Sequence, residues 1–302
     1  MLSSKWMLAA LMLGFGTAHA ELNVLIVEGL GGEAQYTQQF DTEVKAIRAA
    51  STTLASADHI HVLSGAAATS ANISALLKQF AGSMSKEDRL ILYLVGHGSY
   101  DGYEYKFNIP GADLSGTELA RLLDAIKSNN QLIVASGSAS GALLEVLKKD
   151  SRLVMTATRG GNERNATHFG GFFAEALSDA SADTDKNGRI SAQEAFDIAA
   201  RKVKDYFEGE SKLSTEHAQL VGARADVFAL AQLSGAAVPV ANAANAGLPS
   251  QREQLNGRLE DLRLRKDSLG EDEYLKQLEP LLLQIAELDA QLNTEGGKEA
   301  KP

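Results

Sequence analysis

The sequence predicts an α/β fold in which a mostly parallel central sheet is flanked by helices on both faces. The first observation is a series of short apolar runs, rich in β-branched residues, of the kind found in buried strands. These runs cover residues 22–27, 59–63, 90–95, 131–135 and 153–158. The second observation is that the segments between the runs carry apolar residues at helical spacing. Strict alternation of the two patterns predicts βαβ units, and therefore parallel strands.

Three of the segments between the strands predict helices with one apolar face. The first face contains Phe40, Val44 and Ile47, which are spaced for one side of a helix. The second face comprises Ile73, Leu76, Leu77 and Phe80. The third comprises Leu119, Leu122, Leu123 and Ile126. Parallel sheets covered in this way bind ligands beyond the carboxyl ends of their strands. That edge is where we expect the functional site.

Residues 1–20, which precede the first strand, have the three parts of a secretory signal peptide. Lys5 supplies the positive charge, residues 6–17 the apolar segment, and Ala18-His19-Ala20 a small-x-small cleavage site. The apolar segment is shorter than the roughly 20 residues that a helix needs to cross a bilayer. We therefore expect the chain to be exported, then periplasmic or secreted and free of the membrane. An anchor that is never cleaved is the alternative.

The composition narrows the classes of chemistry and of partner. The chain has no cysteine among its 302 residues, which excludes thiol nucleophiles and thiolate metal sites. Its formal net charge of −10 offers no basic surface for the phosphates of nucleic acid and little attraction to anionic lipid. We therefore expect no nucleic-acid or membrane partner.

Residues 21–233 form the predicted α/β domain, and residues 234–250 predict a linker. The linker is rich in Ala, Asn, Gly and Pro and contains no charged or aromatic residue. Leucines then recur at heptad spacing over 251–294, which predicts two coiled-coil-like helices that turn at Gly270. Pro280 should kink the second helix. This hairpin has too small a core to stand alone, so we expect docking on the main domain, self-association or a partner helix. Residues 295–302 predict a disordered tail.

The twelve residues 183–194 match the EF-hand calcium loop at every diagnostic position. Calcium is a hard cation that binds oxygen atoms, and this loop offers them at the required spacing. The predicted ligands are the side chains of Asp183, Asp185 and Asn187, the backbone carbonyl of Arg189, and a bidentate Glu194. Calcium sensors usually pair two such loops and this chain has one, so we expect a structural Ca²⁺ rather than a switch. The alternative is a loop that connects two helices and binds nothing.

Two neighbouring strands end in residues that could carry catalysis. The strand at 90–95 is followed by Gly96-His97-Gly98, which places a histidine at the edge where ligands bind. The strand at 131–135 is followed by a serine-rich turn that ends in Ser138-Ala139-Ser140-Gly141. That turn lacks the Gly-x-Ser-x-Gly pattern of the hydrolase elbow. Parallel strands are expected to bring the two motifs to one edge of the sheet.

These two motifs resemble those of the caspase, legumain and gingipain class of cysteine peptidases (clan CD, of the peptidase C13 and C14 type). Members of that class carry a His-Gly pair after one strand and Cys-x-Ser-Gly after the next, and the resemblance extends over about residues 22–220. It implies a three-layer caspase-like fold. It also implies that His97 is the general base, that Ser138 is the nucleophile, and that the amides of Gly98 and Ser138 bind the oxyanion.

The chain departs from this class at the nucleophile. A serine hydroxyl needs stronger base assistance than a thiol, and no acid near His97 is an obvious orienting partner. We therefore expect a catalytically impaired domain that binds peptides or proteins. In the class, the loop after the fifth strand lines the specificity pocket, which implies that Glu28, Arg159 or Glu163 selects the charge of the ligand. The alternative for this loop is a solvated connection with Thr167 as the N-cap of the next helix. Two alternatives stay open: an active Ser138/His97 peptidase, and a calcium-stabilised envelope scaffold that assembles through residues 251–294.

Overall fold

The computed structural model describes residues 20–233 and 248–296. The predicted signal peptide, linker and tail therefore lie mostly outside the described residues. The strands, in chain order, are β1 (Leu22–Glu28), β2 (Ile60–Leu63), β3 (Arg89–Val95), β4 (Gly98–Tyr100), β5 (Tyr105–Phe107), β6 (Leu114–Ser115), β7 (Asn130–Ala135), β8 (Arg152–Thr156), β9 (Arg189–Ser191), β10 (Gln219–Val221) and β11 (Ala229–Gln232). The helices are α1 (Ala34–Ser51), α2 (Ser70–Ser83), α3 (Gly116–Asp124), α4 (Leu143–Leu147), α5 (Phe169–Ala176), α6 (Ala192–Gly209), α7 (Leu248–Leu264) and α8 (Glu271–Gly296).

Within the described residues, six of these strands form the main sheet, in the order β10-β8-β7-β3-β1-β2. Neighbouring strands from β8 to β2 are parallel, and β10 runs antiparallel to β8. The register at the centre is regular, because Val24 of β1 lies opposite both Ile60 of β2 and Ile91 of β3. The predicted mostly parallel sheet is confirmed. The antiparallel edge strand β10 is an addition that the sequence pattern does not predict.

Helices cover the sheet on both faces, because successive residues of a strand point to opposite sides. In β1, Val24 and Ile26 join a hydrophobic cluster with α1, α5 and α6, while Leu25 and Val27 join a second cluster with α2, α3 and α4. The predicted apolar faces of α1, α2 and α3 are the faces that the structure buries, apart from Leu76, which is half-buried. The predicted arrangement of a parallel sheet between helices is therefore confirmed.

The sequence pattern also fails to predict two small antiparallel sheets. One consists of β4, β5 and β6, and the other pairs β9 with β11. Their strands have two to four residues each, too few to show an alternating pattern. The first sheet begins directly after His97, and the second includes the end of the loop 183–194. Both therefore lie beside the candidate sites.

The carboxyl-terminal part consists of α7 and α8, which pack against each other through Leu255, Leu262, Leu281 and Leu288. Helix α7 begins inside the predicted linker, at Leu248, because Pro249 suits the first turn of a helix. Helix α8 runs on through Pro280. The last residue of α7, Leu264, is buried in the core of the α/β domain. None of the described helices is long and apolar enough to cross a membrane.

Candidate functional site

The carboxyl ends of four neighbouring strands carry the residues that the sequence singles out. Glu28 ends β1, His97 follows β3, and Ser138 follows β7. Arg159 and Glu163 lie in the loop after β8. Because β1, β3, β7 and β8 are parallel and adjacent in the sheet, these four ends meet at one edge.

Two close backbone contacts join the loop of His97 to the loop of Ser138. A Cβ atom built on Gly137 would lie 1.9 Å from the carbonyl oxygen of Gly96. A Cβ atom built on Gly98 would lie 2.6 Å from the carbonyl oxygen of Ser138. Both distances are far shorter than van der Waals contact, so only glycine lets the two backbones approach this closely. The structure thus brings the two motifs into direct contact.

The His97 ring packs against α1 on the amino-terminal side of the site. Its centroid lies 4.8 Å from that of Tyr36 and 5.0 Å from that of Phe40, with both rings edge-on to it. Burial lowers the pKa of His97 below its usual value, while a hydrogen bond to the backbone of Gly31 and the charge of Glu33 oppose that change. The imidazole is therefore neutral at neutral pH.

Ser138 is almost completely enclosed, with 4% of its surface exposed. In the described part of the chain, no hydrogen bond joins its hydroxyl to the His97 ring, and its amide donates none. The next residue, Ala139, has a φ of 56°, a left-handed conformation that is uncommon for a residue with a side chain. The Ala139 amide donates to the carbonyl of Glu163 at 2.7 Å. This hydrogen bond fixes the peptide that follows Ser138.

The other serines of the turn hold it in place. Ser140 Oγ is buried and accepts hydrogen bonds from the amides of Ala157 (3.1 Å) and Thr158 (3.3 Å). Ser136 Oγ donates to a carbonyl of β3 at 3.3 Å, and the Ser136 carbonyl accepts from Thr167 Oγ1 at 2.5 Å. Ser136 and Ser140 are therefore part of the frame, and Ser138 is the serine of this turn whose hydroxyl takes no part in it.

Glu163 organises the loop after β8. Its carboxylate pairs with Arg159 Nε at 3.0 Å and with His217 Nδ1 at 2.6 Å, and it also accepts from the Arg159 and His217 amides. The Glu163 side chain is 12% exposed, whereas that of Arg159 is 67% exposed. Of these two predicted specificity residues, Arg159 is the one that a ligand can reach, with its charge partly balanced by Glu163.

Glu28, the third predicted specificity residue, is half-buried at the end of β1. Burial raises the pKa of its carboxyl above the usual value, Asp41 adds to the rise, and Lys45 opposes it. Lys45 itself is paired with Asp41 at 2.6 Å. Among the described residues, Glu28 makes no ion pair, so its charge is incompletely balanced.

Two further carboxyls near this edge are buried and were missed by the sequence analysis. Glu43 of α1 accepts from Gln39 Nε2 at 2.8 Å, and burial raises its pKa to about 7. Glu216 accepts from the amides of His168 and Phe169 at the start of α5, and burial raises its pKa to about 7 as well. Glu43 could have been found, since it lies at helical spacing among the apolar positions 40, 44 and 47. Glu216 carries no such signal.

The loop 183–194 brings three carboxylates together between α5 and α6. One oxygen from each of Asp183, Asp185 and Glu194 lies within 4.8 Å of the others. Asp183 accepts from the amides of Asn187 (3.0 Å) and Gly188 (2.9 Å), which folds the loop around the carboxylates. Gly188 has a φ of 83°, a conformation that glycine adopts readily.

Glu194 closes this loop from its far end. Its carboxylate accepts from the amides of Thr184 (2.8 Å) and Ser191 (3.0 Å), and the Ser191 hydroxyl caps α6. Burial acts to raise the pKa of Glu194, but the hydrogen bonds from Ser191 and Thr184 together lower it. Burial raises the pKa of Asp185, and the neighbouring carboxylates of Glu194 and Asp183 add to the rise, while the hydrogen bond from the Asn187 amide opposes it.

The remaining predicted ligand, the backbone carbonyl of Arg189, belongs to β9. Asn187 Oδ1 accepts from the amide of Arg189 at 2.8 Å, and Arg189 begins β9, opposite Gln232 of β11. In addition, the Gly188 carbonyl accepts from the amide of Leu233 at 2.9 Å. In the described part of the chain, the strand partner of the loop is therefore β11 rather than a second loop of the same kind.

Comparison with known proteins gives one family match. A family model described as the Peptidase C13 family matches residues 42–222, which include His97, Ser138 and the loop 183–194. No curated protein matches the chain. The crystal structure of protein GSU0716 from Geobacter sulfurreducens is similar, with 13% sequence identity, a TM-score of 0.46, and coverage of 70% of this chain and 97% of that chain. A likeness this distant transfers no function from one protein to the other.

Proposed function

This chain belongs to the Peptidase C13 family, and on that premise we propose that it is a peptidase-related protein that binds peptide or protein segments at the carboxyl edge of its sheet. Ser138 stands at the position of the nucleophile, His97 at that of the general base, and cleavage is impaired or lost. The observation that carries this proposal is that, in the described part of the chain, the two side chains share no hydrogen bond while the loops that carry them touch through Gly96, Gly98 and Gly137.

A serine nucleophile depends on a base that accepts its proton through a hydrogen bond, and usually on an acid that orients that base. The acids closest to His97 in sequence all bind backbone amides of their own region. Asp101 accepts from Tyr103 at 2.9 Å, Glu104 from Thr117 at 3.1 Å, and Asp113 from Ile109 at 3.3 Å. Glu33 acts on His97 through its charge, but among the described residues no carboxylate hydrogen-bonds the His97 ring. The site would therefore lack the orienting acid that a hydroxyl nucleophile needs.

Cleavage and binding of a diverse fluorogenic peptide library by the mature chain test this proposal. We expect peptide binding without turnover above that of Ser138→Ala and His97→Ala. We also expect Ser138→Cys to gain turnover, because a thiol ionises near neutral pH without an orienting acid. Absence of both binding and turnover in all variants, with the fold intact, would contradict a peptide site at this edge.

Two observations favour a second candidate, an active Ser138/His97 peptidase. His97 is neutral at neutral pH because burial lowers its pKa, and a general base must be neutral to accept a proton. The left-handed Ala139 also shows the local strain that often occurs at functional sites. Turnover by the unaltered chain that is lost in both Ser138→Ala and His97→Ala would favour this candidate over the impaired domain.

We further propose that the loop 183–194 holds one structural Ca²⁺. The ligands would be the side chains of Asp183, Asp185, Asn187 and Glu194, and the carbonyl of Arg189. The support is chemical, since three carboxylates within 4.8 Å of one another repel unless a cation balances their charge. Calcium should raise the melting temperature of the mature chain, and a chelator should lower it. An Asp183→Asn variant should respond to neither.

The remaining proposals concern location and assembly. We propose that residues 1–20 direct export and are removed, so that the mature protein is periplasmic or secreted. Residues 251–294 would serve as an assembly element. The third candidate function is a calcium-stabilised envelope scaffold that assembles through these residues and binds no ligand at the sheet edge. Mass spectrometry of the protein recovered from the periplasm and the medium tests export, because cleavage should leave Glu21 as the amino terminus. Deletion of residues 251–302 should impair function most under the scaffold candidate.

A further inference from the structure

A buried carboxylate on α7 connects three separate parts of the α/β domain. Glu260 is 7% exposed. It binds Arg89 at the start of β3 (3.0 Å), the guanidinium of Arg189 in β9, and the amide of Ala229 in β11 (2.8 Å). A buried carboxylate is tolerated only when its charge and its lone pairs are satisfied. Glu260 and these partners therefore hold α7 in one position.

Arg189 makes this contact part of the loop 183–194. Its carbonyl occupies the seventh position of the loop, where an EF-hand takes a backbone ligand, while its side chain reaches Glu260. Helix α7 has a glycine where the guanidinium passes, and a Cβ atom built on Gly257 would lie 3.2 Å from Arg189 Nη2. Glycine weakens the interior of a helix, so its presence at position 257 needs a reason. The close passage of the Arg189 guanidinium supplies one.

Helix α7 also lies across the outer side of the loop. A cavity of about 190 Å³ is lined by Asp185 and Asn187 of the loop and by Asn256 and Arg263 of α7. Without a cation, repulsion among the loop carboxylates favours an open loop. Because Arg189 is both the seventh residue of the loop and the first residue of β9, opening of the loop would displace its guanidinium. Loss of Arg189 would leave Glu260 short of one of its charge partners in a buried position, which destabilises the docked helix.

From this arrangement we infer that calcium in the loop and docking of the α7–α8 pair are coupled. Bound Ca²⁺ favours the docked pair, and the docked pair tightens calcium binding. The inference rests on the calcium site proposed above. Thermodynamic linkage makes the two effects equal in size. Calcium therefore stabilises the docked position of the carboxyl-terminal helices, with Leu264 buried in the domain core.

The test uses the full mature chain, whose lack of cysteine allows two labels to be introduced at chosen positions. Spin labels on Lys78→Cys in α2 and Lys276→Cys in α8, both exposed, report the distance between the helical pair and the domain. Calorimetry reports calcium affinity. The perturbed variant is Glu260→Gln, and Glu279→Gln on the exposed side of α8 is the matched control. Arg189→Met is a second variant, which keeps the backbone carbonyl and serves if Glu260→Gln does not fold.

In the unaltered chain we expect one narrow distance with calcium and a broad distribution with chelator. Glu260→Gln should weaken calcium binding by at least about fivefold, the lower end of ordinary coupling, and broaden the distance even with calcium. Glu279→Gln should match the unaltered chain in both. Equal calcium affinity in Glu260→Gln and the unaltered chain would overturn the coupling alone. Absence of calcium binding from the unaltered chain would overturn the calcium site and the coupling together.

Discussion

Removal of one buried charge on α1 should make this protein more stable in alkaline solution. Glu43 is 3% exposed, and its carboxyl lies against Gly170 of α5, where a Cβ atom would be 2.4 Å from Glu43 Oε2. Glu43→Gln keeps the shape of the side chain and an oxygen to accept the hydrogen bond from Gln39. It removes the capacity to ionise and replaces the second carboxyl oxygen with an NH2 group of similar size.

The size of the effect follows from the pKa. Burial raises the pKa of Glu43 from an ordinary 4.5 to about 7 in the folded protein. Because the folded state holds the proton more tightly, the contribution of Glu43 is fully present below pH 4.5, declines as pH rises, and is lost above about pH 7. At about 1.4 kcal/mol for each tenfold change in proton affinity, the loss is on the order of 3 kcal/mol. Glu43→Gln should therefore be more stable than the unaltered chain by about that amount at pH 8, and nearly equal to it at pH 4.

Urea unfolding of residues 21–302 at several pH values between 4 and 8 measures this difference, with the slope of the transition checked for constancy. Subtraction of the two curves removes the contribution of Glu216, which is present in both proteins. Glu145→Gln, an exposed position on α4, is the control and should leave the curve unchanged. If Glu43→Gln gave a curve parallel to that of the unaltered chain, or lost stability at pH 8, the pKa of Glu43 would not be raised in the folded protein and the reasoning would fail.

Two further substitutions test contacts that position the site and the helical pair. Gly137→Ala should disrupt the contact with Gly96, where the new Cβ would lie 1.9 Å from an oxygen, and should abolish ligand binding at the edge. Gly160→Ala, where a Cβ meets nothing within 4 Å, should bind normally, and equal binding by both variants would contradict the close approach. Leu264→Ala, at a position that is 3% exposed, should lose about 2–5 kcal/mol of unfolding free energy. Leu283→Ala, at 57% exposure, should change it by less than about 0.5 kcal/mol, and an equal loss in both would mean that α7 does not dock in the core.

The central sheet was predictable because each of its parallel strands is an apolar run of its own. β1 and β3 have seven residues each and are buried on both faces, so their pattern does not depend on distant partners. β10 could not be found in the same way, since its three residues are half-buried and begin with Gln219. Its position as an edge strand depends on pairing with β8, in which Leu220 lies opposite Met155, 65 residues away in the chain.

The candidate site was predictable to the level of strand ends and no further. Parallel topology alone brings His97 and Ser138 to one edge, and the glycines of both motifs indicate close backbone approach. The contacts of Glu216 and Glu260 could not be predicted, because their partners are distant in the chain. Phe169 is 47 residues from Glu216, and Arg89 is 171 residues from Glu260. Nothing in the local pattern distinguishes such acids from those on a solvated helix face.

The glycine contacts between the two loops set the shape of this site independently of its chemistry. The two loops approach each other because Gly137 and Gly98 have no side chains. The Ser138 hydroxyl takes no part in this contact. An exchange of sulfur and oxygen at position 138 alters one atom and leaves both backbones where they are, whereas a methyl group at position 137 would drive them apart. Under the proposed function, a single substitution at position 138 would remove or restore the reaction and leave peptide binding in place. Binding and cleavage would then be separable under mutation, and selection could act on either one alone.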